Sequence, residues 1–189
     1  MDHRILSIAG GGTAVRLHPT GKGAADAPLA LLRACHERIR LFTSMAVQIA
    51  GAAAVTEQVS QAAVAAKRYF FEALPKHVAD EEESLQPRLA LLGSLASPLS
   101  EVVRQHRELE DVLDRLEVFW RRIASGESPG APLPALTGRM AQLWDAHLAI
   151  EEQDVFPAVQ RLDPDERGAI WQEMRARRAR TEVASAKGG

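Results

Sequence analysis

The chain has one cysteine, Cys35, in 189 residues. No disulfide can form within it, which fits a reducing compartment. Aromatic residues are scarce at 5%, and Val, Ile and Thr together number 26 against 32 Ala and 21 Leu. That balance is poor in the side chains that suit a pleated sheet and rich in helix formers. No sign of charge prevails: a formal net charge of −2 leaves no strongly basic surface for nucleic acid. No apolar run approaches the ~18 residues of a membrane span. The start, MDHRILSIAGGG, lacks the apolar stretch of a signal peptide. These absences predict a cytoplasmic helical domain with neither nucleic acid nor membrane as a partner. With 46% hydrophobic residues, the chain can build a core in one domain.

Residues 1–25 carry Gly10, Gly11, Gly12, Gly21 and Gly23 without a helical period and read as an N-terminal arm. Four long helical stretches then fill residues 26–160. The first opens at Asp26-Ala27-Pro28, a cap followed by a proline suited to a first turn, and runs to about Ala54. The second runs from about Glu57 to about Leu92, with Pro75 and Pro87 inside it. The third opens at Ser97-Pro98 and stops at Ser125-Gly126. The loop SGESPGAPLP leads to the fourth, from about Leu133 to about Val155. A shorter helix over 161–180 begins at Asp163-Pro164-Asp165-Glu166, with its acids at the favourable end of the dipole. A tail covers 181–189. The predicted fold is all-α: an antiparallel up-down-up-down four-helix bundle with an extra C-terminal helix.

An internal repeat is present at an offset of 70 residues. KHVADEEESLQPRL falls on AHLAIEEQDVFPAV, pairing His77 with His147, Glu81 with Glu151, Glu82 with Glu152 and Pro87 with Pro157. The same offset pairs Pro28 with Pro98 and His36 with His106. The interval from His36 to His77 therefore equals that from His106 to His147. A hairpin that goes up and returns brings its two histidines to one level. Two such hairpins place four histidines at one height, one per helix.

Each of His77/Glu81, His106/Glu110 and His147/Glu151 is spaced by four, which puts both members on one helix face. Helix one has Arg40 at that place after His36. The histidines lie on apolar stripes, such as Leu32 and Ile39 around His36, or Leu143 and Ile150 around His147, and so point to the core. Unpaired carboxylates there cost several kcal/mol; a metal cation removes that cost. Imidazole with carboxylate suits iron, manganese or zinc. Seven candidate ligands, His36, His77, Glu81, His106, Glu110, His147 and Glu151, are too many for one ion and suit two.

Glu82 and Glu152 sit about 140° around the helix from their histidines and, with Glu83, read as solvated or as outer contacts. Pro75 either kinks helix two or starts a new segment. Cys35 points about 100° away from His36 and reads as a small core residue. Tyr69, two turns before His77, is either a hydrogen-bond donor to the site or core. His3 and His18 belong to the arm. Arg175, Arg177, Arg178 and Arg180 suit the end of the last helix dipole or form a basic patch.

A lone His, then His-x3-Glu-Glu before a proline, then His, then His-x3-Glu-Glu-x3-Phe-Pro resembles the hemerythrin-like (HHE cation-binding) family over about residues 26–160. HLAIEEQDVFP and HVADEEESLQP carry most of the specificity. The resemblance implies a four-helix bundle holding two non-heme iron ions, oxo- or hydroxo-bridged. The ligands it carries over are His36, His77, Glu81, His106, His147 and Glu151, with Glu81 and Glu151 as the bridging acids. Oxygen-carrying members have a second histidine where Glu110 stands, and Gln86 replaces the usual Phe. Those departures argue for sensing or binding of oxygen, nitric oxide or iron rather than oxygen storage. The alternative is an enzyme that processes peroxide or nitric oxide, or that repairs iron–sulfur clusters. A diatomic ligand or peroxide is the implied partner.

Overall fold

The structure, a computed structural model, describes residues 22–187. Five helices follow one another: α1 (Lys22–Ala50), α2 (residues 57–89), α3 (Ala96–Ala124), α4 (residues 132–161) and α5 (Pro164–Lys187). No strand occurs among the described residues. Most of the arm expected over 1–25, and the end of the tail expected over 181–189, lie outside the described residues.

Local chemistry sets two of the boundaries. Thr56 caps α2, its side chain accepting from the Val59 N–H at 3.3 Å, which satisfies one of the donors a helix start leaves free. Gly126 takes φ +85° after α3. The Glu127 N–H then reaches the Arg122 carbonyl at 2.9 Å and the Gly126 N–H reaches Ile123 at 2.9 Å, a Schellman closure that only a glycine adopts without strain. The start of α1 differs from expectation. The helix reaches back to Lys22 with Pro28 inside it, so Asp26 does not cap it. Pro28 has no N–H to give, which removes one bond near the helix end without stopping the helix. The last helix extends to Lys187, past the residue at which it was expected to end.

The prolines within α2 and α4 leave a regular mark. Three π-helical turns, Tyr69–Ala73, Asp80–Leu85 and Glu151–Val155, interrupt the α-helical pattern. Each closes with an N–H bonding five residues back: Leu74 to Tyr69, Gln86 to Glu81 and Phe156 to Glu151. In all three the donor directly precedes a proline: Pro75, Pro87 and Pro157. A proline ring collides with the carbonyl four residues earlier; the wider turn absorbs that collision while the helix continues. Pro75 therefore neither breaks α2 nor begins a new segment.

α1 packs on both α2 and α4, and α3 completes the ring between them. The core divides into two apolar clusters. One holds Ile39, Ala66, Leu109, Trp120, Leu133 and Trp144 with their neighbours. The other holds Leu32, Leu85, Leu99 and Phe156, closed by Ile170 and Met174 of α5. On every helix of the ring the histidine of the repeat falls between the two clusters, so a polar layer crosses the bundle there.

α5 is held on its flank by charge. Asp80 is fully buried beside the π-turn of α2. It pairs with Arg177 and with Arg178, whose Nη2 lies 2.5 Å away. Arg88 binds Glu166 at 2.7 Å and Glu173 at 2.8 Å. Burying Asp80 without partners would cost several kcal/mol. The two arginines therefore act as its counterions, rather than as a free patch at the end of the helix.

Candidate metal centre

Six side chains meet in the polar layer: His36 from α1, His77 and Glu81 from α2, His106 from α3, His147 and Glu151 from α4. All are buried. Both carboxylates are on π-turns, whose widened backbone carries them at the level of the imidazoles.

Each carboxylate stands between histidines of two helices. Glu81 lies 2.8 Å from His77 Nε2 and 3.1 Å from His106 Nε2. Glu151 lies 3.0 Å from His36 Nε2 and 3.4 Å from His147 Nε2. These contacts exchange under the 70-residue offset, so the site has the pseudo-twofold symmetry written in the sequence. Ligand-type atoms of His36, His77, Glu81 and Glu151 lie within 4.8 Å of one another, and so do those of Glu81, His106 and His147. Glu81 belongs to both groups.

The far sides of three of the four rings are held by side chains outside the layer. His36 Nδ1 is 2.8 Å from Glu152, and His106 Nδ1 is 2.7 Å from Glu82. His147 Nδ1 is 3.2 Å from the Gln105 amide oxygen. Cys35, which the repeat pairs with Gln105, lies beside His77 and interacts with it. Holding Nδ1 from behind fixes the ring and leaves Nε2 to the centre. Phe156 packs on the His36 ring at 4.8 Å between centroids, and Trp144 meets His147 edge-on at 5.4 Å.

Burial and mutual charge shift the titrating groups of the layer in different directions. Burial works against a charged His77, but the Glu81 carboxylate holds its pKa well above the usual histidine value. Burial likewise opposes ionisation of Glu81, and His77 and His106 overcome it, holding that carboxyl well below the ordinary range. Glu151 then faces burial and an ionised neighbour, and its pKa rises to about 7. His147 is pushed down to about 3, first by burial and then by the other three histidines.

The donor set fits a metal on an independent ground. His77 Nε2, both oxygens of Glu81, Nε2 of His106 and of His147, and Glu151 Oε1 are buried with no well-formed hydrogen bond. Buried polar atoms without partners are rare and costly, and here they converge on one place. The family model for the hemerythrin HHE cation binding domain matches residues 27–159. The chain belongs to this family. Comparison with curated proteins returns no match. The hemerythrin match ends before α5, so the helix that shields Asp80 lies outside the family domain.

Of the seven predicted candidates the structure gathers six; Glu110 stays apart. It is exposed and belongs to neither group. Four residues on from His106 it has turned about 40° further from the seam of α3, enough to leave the core. Gln105 takes the inward place instead and was missed by the sequence reading. The signal for it was its pairing with Cys35 across the repeat. Glu82 and Glu152 are the outer contacts that one of their two readings described. Tyr69 is core, stacked on Phe42 at 4.0 Å. No described helix is long and apolar enough to cross a membrane.

Proposed function

We propose that this hemerythrin-family cluster holds two non-heme iron ions and that the protein binds or senses oxygen, nitric oxide or iron. The single observation that carries this reading is that Glu81 is common to two groups of histidine and carboxylate donors. A carboxylate has two oxygens and can serve two cations at once, whereas an imidazole nitrogen serves one. Four imidazoles with two acids suit iron; manganese and zinc accept the same donors. On this reading His36 and His77 would serve one ion, His106 and His147 the other, and Glu81 and Glu151 would lie between them. Iron would supply a ferrous/ferric couple and open positions for a small ligand.

The protein's own contribution is placement and exclusion. Glu152, Glu82 and Gln105 fix the rings of His36, His106 and His147. The two apolar clusters above and below keep water from the layer. The low pKa of His147 keeps its Nε2 free of a proton at neutral pH, ready to bind a cation.

The reading is tested by anaerobic iron loading followed by metal counting and visible spectra with oxygen, peroxide and nitric oxide. Two ions per chain and a reversible spectral change without turnover are expected. Fewer than one ion per chain would sink the di-iron assignment. Peroxide turnover far beyond stoichiometry would replace the binding protein with an enzyme.

A further inference from the structure

The ion pairs of α5 converge on one stretch of the bundle. Arg177 pairs with Asp80 and, at 2.9 Å, with Glu83, while Arg178 reaches Asp80 at 2.5 Å. Arg177 also donates to the Ser84 hydroxyl at 3.2 Å. Arg88 takes Glu166 and Glu173 from the first half of α5. These ties land on residues 80–88 of α2, the stretch that contains the π-turn Asp80–Leu85 and, within it, Glu81.

Asp80 and Glu81 are consecutive, so their side chains leave the helix about 100° apart. Both are buried, one against the arginines of α5 and the other in the layer of histidines. The Glu81 carbonyl accepts the Gln86 N–H that closes the turn. A turn clamped at Asp80 therefore sets where the Glu81 carboxylate stands. An ion pair of this kind has no counterpart beside Glu151. The repeat puts Ile150 where Asp80 stands and Ala158 where Arg88 stands, and neither carries a charge. Arg177 and Arg178 lie beyond residues 27–159, the extent of the family domain. The clamp is thus added to the domain, and it acts on the carboxylate common to both donor groups.

We infer that Asp80, Arg177 and Arg178 are positioning residues for Glu81, and that docking of α5 and binding of cations are coupled through the π-turn they share. The inference rests on the metal-centre reading and deepens it. Such coupling is reciprocal: a docked α5 raises cation affinity, and by the same factor a bound cation holds α5 down. α5 then reports, at the surface, the occupancy of a buried centre.

The test uses the full chain with cobalt(II) under anaerobic conditions. Cobalt accepts imidazole and carboxylate donors, and its visible bands report their arrangement. Hydrogen exchange read by mass spectrometry follows residues 170–178. An α5 that only rests on the bundle would open alone and exchange at one rate with and without cobalt. Cobalt is expected instead to slow that exchange about tenfold. Asp80→Asn keeps the shape of the side chain and removes its charge. It should lose most of the added protection, bind cobalt about tenfold more weakly and shift the visible bands. Arg177→Lys with Arg178→Lys keeps both charges and is expected to bind cobalt more tightly than Asp80→Asn. Should Asp80→Asn not fold, exchange in the parent with and without cobalt still decides. The inference is overturned if cobalt binds the parent and leaves exchange in α5 unchanged, or if Asp80→Asn matches the parent in affinity and spectrum. A parent chain that takes up no cobalt would overturn the metal-centre reading, and this inference with it.

Discussion

His36 Nδ1 lies 2.8 Å from Glu152, a carboxylate that is two-fifths exposed and one residue from the buried Glu151. The same relation joins His106 to Glu82. In each case the acid fixes the ring from behind and increases the basicity of the nitrogen facing the centre. Glu82→Ala and Glu152→Ala are therefore expected to lower metal affinity about 10- to 100-fold without unfolding the bundle. Competition titration against a chelator of known affinity reads this directly. Unchanged affinity in both variants would remove the orienting role.

His77 offers a sharper loss. Its ring is buried and reaches Glu81, on the next turn of the same helix, at 2.8 Å. His77→Ala is expected to lose at least one cation per chain. A cation at 100 times its dissociation constant stabilises a fold by about 2.7 kcal/mol, so the variant should show a clearly smaller rise in Tm on metal addition than the parent. Thermal melts with and without metal check it. An equal rise in both proteins would show that the cation sits elsewhere.

The four helices and the ligand layer were legible because both are periodic. Apolar spacing marks a helix face, and the 70-residue offset sets four histidines at one height. Two things were not legible. Glu110 shares the i,i+4 spacing of Glu81 and Glu151, but those two ride on π-turns before Pro87 and Pro157, and α3 has no proline at the matching place. The spacing alone does not carry the wider turn. Asp80 reads as one more acid in a charged run, because its partners Arg177 and Arg178 are almost 100 residues away in α5.

Stripping the metal should invert the pH response of stability. Glu151 has a folded pKa of about 7 against about 4.3 when unfolded. Its contribution is complete below the lower value and is lost as pH rises through the higher. His77, raised above about 6.5, behaves likewise and loses its contribution at higher pH still. His147, lowered to about 3, stabilises above about 6.5 and loses that contribution only as pH falls. Between about pH 6.5 and about pH 8 only the falling contributions operate, so the chelated protein is expected to melt at lower temperature as pH rises. Metal binding releases protons and tightens over the same interval, so the loaded protein should not follow. Melting curves of both forms across this window decide the matter; parallel slopes would contradict the assignment.

The last helix should be part of the stable fold and not an appendage. Asp80 is fully buried, and its counterions come from Arg177 and Arg178. Removing one partner of a buried pair typically costs about 3–5 kcal/mol. Both arginines keep some access to solvent, which lowers the expectation to about 2–4 kcal/mol for Asp80→Ala. The loss should fall on α5 first. Ile170 and Met174 hold it to the lower core cluster, but the carboxylate is what holds its outer half to the π-turn of Glu81. Limited proteolysis is expected to cut the variant within α5 well before the bundle, and before any cut appears in the parent. The displaced turn should then weaken the metal centre as well, because Asp80 and Glu81 are adjacent on it. A variant that melts and digests like the parent would show that the apolar contacts and the Arg88 pairs hold α5 in place without Asp80.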